Sequence, residues 1–189
     1  MEVAARKTAL RDQVLTSRRR RPLLERQRVG EAIADRLLAW EPVRRAATVA
    51  AYASVGSEPP TGLLLERLLR VGKRVVLPVL LPDGDLDWAE FTGDLVPARL
   101  GLMQPPGPPL GVEALATADV VLVPGVAVDG RGRRLGRGGG SYDRALGRVP
   151  VGTPVVLLLH DDEVVEEVPV AEHDRPVTAA VTPSALRVF

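Results

Sequence analysis

The stretch DVVLVPGVAVDGRGRRLGRGGGSYDRAL (119–146) decides the architecture. Its opening, DVVLVPG (119–125), is a β-branched run without polar alternation, the pattern of a strand buried on both faces. Six glycines follow between 130 and 140, and a helical segment runs from about Ser141 to Gly147. A buried strand, a glycine loop and a helix in succession belong to an α/β protein, and the rest of the chain repeats the alternation.

Upstream, VAARKTALRDQVLTS (3–17) and a second pattern through Leu23, Leu24, Val29, Ile33, Leu37 and Leu38 to about Trp40 predict two opening helices. TVAAYAS (48–54) predicts a buried strand, GSEPPTG (56–62) a turn, and LLLERLLRVG (63–72) a helix closing on Gly72. RVVLPVLL (74–81) is the next strand, and the alternation in LDWAEF (86–91) suits a half-buried antiparallel or edge strand. The four prolines and three glycines of GLMQPPGPPLG (101–111) predict an ordered surface loop, followed by a short helix at 112–117. PVVLLL (154–159) and PVTAAVTP (176–183) are the last apolar runs. The expectation is an α/β fold: a three-layer α/β/α single domain over 1–189, with a mostly parallel central sheet and N-terminal helices. Ligands in such sheets gather beyond the carboxyl ends of the strands, here the loops after Ala53, Pro78, Pro124 and Leu159.

Composition narrows the function. With 46% hydrophobic and 26% charged residues the chain has the makings of a core, and 3% aromatic residues make that core aliphatic. No cysteine and only two histidines, His160 and His173, exclude a thiolate zinc site and disfavour a histidine-rich one, leaving oxygen ligation open. No run approaches the roughly 18 apolar residues of a membrane span. The N-terminus has no apolar signal core, so a cytoplasmic protein without a membrane partner is expected. The net charge of +1 conceals basic clusters at 1–28 and 131–148 and an acidic one at 161–176. A run such as Arg18 to Arg21 on an amphipathic helix ordinarily faces water. Near-neutral charge and scarce aromatics argue against a nucleic-acid partner.

The glycine segment has a phosphate-binding design. Glycines let the backbone approach a ligand and turn its N–H groups inward, while Arg134 and Arg137 add positive charge. It is not a P-loop, because no Gly-Lys-Ser/Thr occurs and the only lysines are Lys7 and Lys73. It is not a dinucleotide fingerprint either, since Gly136-x-Gly138 begins ten residues or more after its strand and ends on Ser141.

The segment PGVAVDGRGRRLGRGGGSYDRAL resembles the signature of 5-formyltetrahydrofolate cyclo-ligases, or 5,10-methenyltetrahydrofolate synthetases, roughly PGxAFDxxGxRLGxGxGYYDxxL. Further markers follow in order: Lys7-x-x-Leu10-Arg11, Tyr52-Ala53-Ser54 with Glu58, Gly72-Lys73, Leu77-Pro78, Gln104-Pro105, and Val168-Pro169 before His173-Asp174. The resemblance implies ATP- and Mg2+-dependent closure of 5-formyltetrahydrofolate to 5,10-methenyltetrahydrofolate through a phosphorylated formyl group, with release of ADP and phosphate. By matching position it implies Lys7 and Arg11 on ATP phosphates, and a nucleotide loop of Arg134, Leu135, Gly136, Arg137, Gly138, Gly139, Gly140, Ser141 and Tyr142. Arg137 would be the catalytic charge at the γ-phosphate. Asp143 and Asp174 would hold Mg2+, and Ala53, Glu58, Gly138, Gly139, Gly140 and Ser141 would line the folate. The partners implied are a folate and ATP, with a monomeric enzyme. An ATP-dependent relative acting on another small molecule, and a non-catalytic nucleotide- or RNA-binding module, are the alternatives. The chain departs from the family where aromatics are usual, with Leu100, Val128 and Ser141 in their places.

Overall fold

The computed structural model describes residues 2–189. Helices α1 (Glu2–Arg19), α2 (Leu23–Ala39) and α3 (Glu41–Arg45) precede strand β1 (Thr48–Ala50). Then come α4 (Gly62–Arg70), β2 (Arg74–Leu80), β3 (Leu86–Glu90), β4 (Val96–Pro97), β5 (Met103–Gln104) and β6 (Val120–Val123). The chain ends with β7 (Ala127–Val128), β8 (Arg134–Leu135), α5 (Ser141–Leu146), β9 (Val155–Leu158), β10 (Ala179–Val181) and β11 (Leu186–Val188).

The main sheet has seven strands in the order β11-β10-β9-β6-β1-β2-β3. The five inner strands, β10 to β2, are parallel, whereas the edges β11 and β3 pair antiparallel. β4–β5 and β7–β8 are separate two-stranded ribbons. From β1 the chain moves to β2 and β3 on one side, then returns as β6 on the other side of β1. The strand order therefore reverses between β1 and β6, and a crevice opens beyond their carboxyl ends.

Period-2 alternation sends neighbouring residues of one strand into different cores. Val49, Val75, Leu77, Val120, Leu122, Val156 and Leu158 face α2 and α4. Ala50, Val76, Val121, Val123, Val155 and Leu157 face the opposite side. α4 buries Leu64, Leu65 and Leu68 on one stripe, worth roughly 5–9 kcal/mol in transfer free energy. It ends at Gly72, whose φ of +78° lets its N–H reach the Leu69 carbonyl while the Lys73 N–H reaches that of Leu68. Leu68→Ala would cost about 2–5 kcal/mol through the cavity it leaves. The other face carries a thinner cover: the six-residue α5 and a 3-10 turn at Val112–Thr117, where the sequence predicts a short helix.

LDWAEF forms the antiparallel edge strand β3, with Leu86, Trp88 and Ala89 buried and Glu90 exposed. Two expectations need correction. The segment 101–111 is not all loop, because Met103–Gln104 pairs with Val96–Pro97 and Pro109 bridges to Ala89. Nor does all of Arg18–Arg21 face water: Arg18 is only 1% exposed, because a buried carboxylate, Glu163, awaits it. Among the described residues no helix is long and apolar enough to cross a membrane.

Candidate active site

A cavity occupies the crevice at the β1/β6 reversal. Its charged side consists of Glu58, Arg134 and the run Gly136–Asp143; its apolar side includes Pro78, Leu80, Leu86, Ala98, Leu102 and Met103. Tyr52, Ala53 and Pro124, immediately beyond β1 and β6, also line it. The glycine loop curls here because Gly138 and Gly140 hold φ of +104° and +69°, backbone angles that residues with a Cβ rarely adopt. At Gly138 a Cβ would also stand 3.6 Å from the Arg11 guanidinium carbon.

Three cation–carboxylate pairs are arranged about this loop. Arg134, 5% exposed, donates from Nη2 to Asp143 Oδ1 at 2.8 Å and from Nη1 to the Pro124 carbonyl at 3.2 Å. Arg137 donates from Nη1 to Glu58 Oε1 at 3.2 Å, joining the glycine loop to the loop after β1. Lys7 pairs with Asp174, whose Oδ2 also accepts the Ala171 N–H at 2.6 Å. Arg11 donates from Nε to the Gly136 carbonyl at 3.0 Å. The Arg175 N–H donates to Asp143 Oδ1 at 3.2 Å, which joins the segment carrying Asp174 to the first turn of α5.

Burial tunes these groups differently. Glu58 is pushed above the usual carboxylate range by burial, opposed by the Val55 N–H and by Arg137 and Arg18. Burial also raises Asp174, but the Lys7 ammonium and the Ala171 N–H outweigh it and leave the carboxyl below its ordinary value. Tyr52 is held well above the ordinary phenol value by burial and by the neighbouring Glu58, so its hydroxyl is neutral at any working pH.

The structure thus brings Ala53, Glu58, Arg134, Gly136, Arg137, Gly138, Gly139, Gly140, Ser141, Tyr142 and Asp143 to one cavity. Lys7, Arg11 and Asp174 stand behind the glycine loop through the contacts just described, outside the cavity lining. Leu135 is different: its side chain packs into a small core with Val14, Val126, Ala127 and Val168, so only its backbone can serve the site. His173 is exposed, 3.9 Å from Asp174. The three positions that lack aromatics separate as well. Val128 is fully buried in the core, Leu100 is 86% exposed at the tip of the β4–β5 ribbon with φ of +57°, and only Ser141 lines the cavity. The apolar side has no signature in the sequence as a binding surface: Pro78 and Pro124 stand out only as strand ends, and Leu80, Leu86, Ala98, Leu102 and Met103 carry no motif.

The carboxylates suit a hard cation. Asp143 and Asp174 offer oxygen ligands only, and among the described residues no group of three or more His, Cys, Asp or Glu side chains could enclose a metal alone. Such a sparse set fits Mg2+, which is commonly held by one or two carboxylates together with substrate phosphates and water.

Residues 3–183 match the model of the 5-formyltetrahydrofolate cyclo-ligase family. The chain is 42% identical over 183 residues to a 5-formyltetrahydrofolate cyclo-ligase of Mycolicibacterium smegmatis, covering 94% of this chain and 93% of the relative. It is also 42% identical over 173 residues to that of Escherichia coli, covering 88% and 95%. The NMR structure of Aquifex aeolicus 5,10-methenyltetrahydrofolate synthetase superimposes with a TM-score of 0.83 at 30% identity, over 96% of this chain and 92% of that one.

Proposed function

The chain belongs to the 5-formyltetrahydrofolate cyclo-ligase family and is an enzyme of that activity, and on this premise we propose that ATP and Mg2+ drive its reaction. The proposed enzyme is a cytoplasmic monomer, one α/β unit over 1–189. The observation that carries the reading is the set of three cation–carboxylate pairs about one glycine loop: Lys7–Asp174, Arg134–Asp143 and Arg137–Glu58. A magnesium triphosphate presents the same two kinds of charge, so it can exchange partners with Lys7–Asp174 and Arg134–Asp143, while Glu58 turns from Arg137 to the folate.

In this reading Lys7 and Arg11 hold phosphates, and the backbone from Arg134 to Tyr142 follows the nucleotide. Asp143 and Asp174 hold Mg2+, which when bound supplies neutralisation of phosphate charge. Ala53, Glu58 and the edge of the loop from Gly138 to Ser141 take the folate. Arg137 contacts Glu58 on the folate side, yet its side chain is 52% exposed and so has room to swing to the transferring phosphoryl group.

The reaction needs no protein nucleophile. The formyl oxygen bonds to the γ-phosphorus as the bridging P–O bond breaks, and ADP leaves with that electron pair. N10 then forms the new C–N bond at the formyl carbon, phosphate departs with the former formyl oxygen, and the N10 proton passes to water. The chain's contribution is alignment and charge neutralisation, the effects that dominate phosphoryl transfer. The test follows methenyl-folate absorbance from 5-formyltetrahydrofolate with and without ATP and Mg2+, using substrate labelled with 18O in the formyl group. The reading requires nucleotide-dependent product and the label in released phosphate. Full turnover without ATP, or unlabelled phosphate, would refute it.

A further inference from the structure

Between Glu2 and Arg19, α1 buries only Val14 and Arg18. Its apolar contact is a small cluster of Val14 with Val126, Ala127, Leu135 and Val168, flanked by Leu10. Such a short seam leaves the ends of the helix to polar contacts. Besides the exposed contacts of Arg6 with Glu167 and of Ser17 with Asp162, these are Lys7 on Asp174, Arg11 on the Gly136 carbonyl, and Arg18 on Glu163. Of these three, the first two involve groups that the proposed function gives to the magnesium nucleotide. The third does not.

Arg18 is 1% exposed, and its fork is bidentate: Nε lies 2.6 Å from Glu163 Oε1 and Nη2 lies 2.7 Å from Oε2. Nη2 also donates to the Gly125 carbonyl at 2.8 Å, just beyond β6. Glu163, beyond β9, is held in turn by the His160 N–H at 2.9 Å. Arg18 stands about two helical turns from Arg11 and three from Lys7, so the three side chains share a face. A planar bidentate pair fixes rotation as well as distance, which a Leu or Val contact does not.

We infer that the Arg18–Glu163 pair is a positioning device for the nucleotide half of the site. It sets the depth and rotation of α1 against the ends of β6 and β9, and thereby places Lys7 and Arg11. Arg18 acts through those residues and touches neither substrate. The inference rests on the nucleotide reading proposed above.

The double variant Arg18→Met/Glu163→Gln removes both charges at similar bulk, so that no lone buried ion remains. It should raise the apparent KM for ATP about tenfold or more while leaving that for the folate within about threefold. Without any substrate, amide exchange across residues 2–19 should quicken about tenfold, with the central strands unchanged. Glu163→Gln alone leaves the buried Arg18 cation unpaired and sets an amide N–H against one arm of its fork, so it should raise the KM for ATP at least as far as the double variant does. Parallel rises in both KM values, or an unchanged KM for ATP despite faster exchange in α1, would overturn the inference. If the double variant does not fold, Arg18→Lys keeps the charge without the fork, and the same split between the two KM values decides. Failure of the nucleotide reading itself would show separately, as ATP-independent turnover by the parent enzyme, and would remove the inference with it.

Discussion

The two sides of the cavity are built by different rules. On one, directional ion pairs join Arg134 to Asp143 within the glycine segment and Arg137 to Glu58 in the distant loop after β1. On the other, Pro78, Leu80, Leu86, Ala98, Leu102 and Met103 present apolar surface, with the amide of Gln104 beside them. The first side can discriminate atoms and bear charge; the second mainly matches shape and excludes water. A cation facing a phosphoryl group has few substitutes, whereas one apolar residue can stand in for another.

The comparison breaks most sharply at Arg137. Arg137→Ala should lower kcat by about 10²–10³ and change the KM for the folate far less, because a charge aimed at the transferring group acts mainly in the transition state. Steady-state kinetics with saturating ATP decide it, and a kcat within a few-fold of the parent would remove Arg137 from that role.

The carboxylates come next. Asp143→Asn and Asp174→Asn should each move the Mg2+ titration of activity about tenfold upward with the fold retained. They differ in stability. Asp143 compensates the buried Arg134, whereas Asp174 pairs with the less deeply buried Lys7, so Asp143→Asn should melt lower of the two. Unchanged magnesium titrations would place the cation elsewhere.

A smaller effect sharpens the contrast from the folate side. Ser141 is the one position of the three lacking aromatics that lines the cavity, and Ser141→Tyr should tighten folate binding by about 1 kcal/mol, or roughly fivefold, without altering ATP binding. Separate calorimetric titrations measure both; weaker folate binding would mean that other side chains already fill the space.

The smallest effect lies behind both sides. His160 is 1% exposed, and burial lowers its pKa from the ordinary 6.5 despite the nearby Glu163 carboxylate. The unfolded chain therefore takes up a proton before the folded one does. Stability is full well above pH 6.5 and falls on acidification through that value until the lowered one is passed, a loss of less than about 1 kcal/mol at pH 6. Chemical denaturation at pH 8 and pH 6 should show this loss in the parent and not in His160→Leu. An equal loss in both would assign it to other groups.

The same contrast governs what the sequence could disclose. The run 134–143 was legible because phosphate chemistry demands glycines and arginines at close spacing, and those residue types are conspicuous. The buried parallel strands were legible because burial on both faces erases polar alternation, as in Val120–Val123 and Val155–Leu158. The apolar side was not, since Leu80 and Met103 look alike in a core and in a pocket. Arg18 was hidden for another reason: one cation in a run of four turns inward only because Glu163, far along the chain, is buried opposite it. The strand β11 and the two ribbons are two or three residues long, too short to show a period.

The place of β1 in the sheet has a consequence for how the chain is made. β1 joins β2 and β3 through a contiguous stretch ending at Glu90, but its other edge waits for β6, which begins at Val120. At about 5–20 residues per second the ribosome takes roughly 4–14 s to travel from Ala50 to Val120. During that interval one edge of this future interior strand is open to pairing with any other chain. Nascent chains stalled shortly after Glu90 should therefore aggregate more readily than those long enough to expose Val120–Val123, and the crevice between β1 and β6 is among the last features to close.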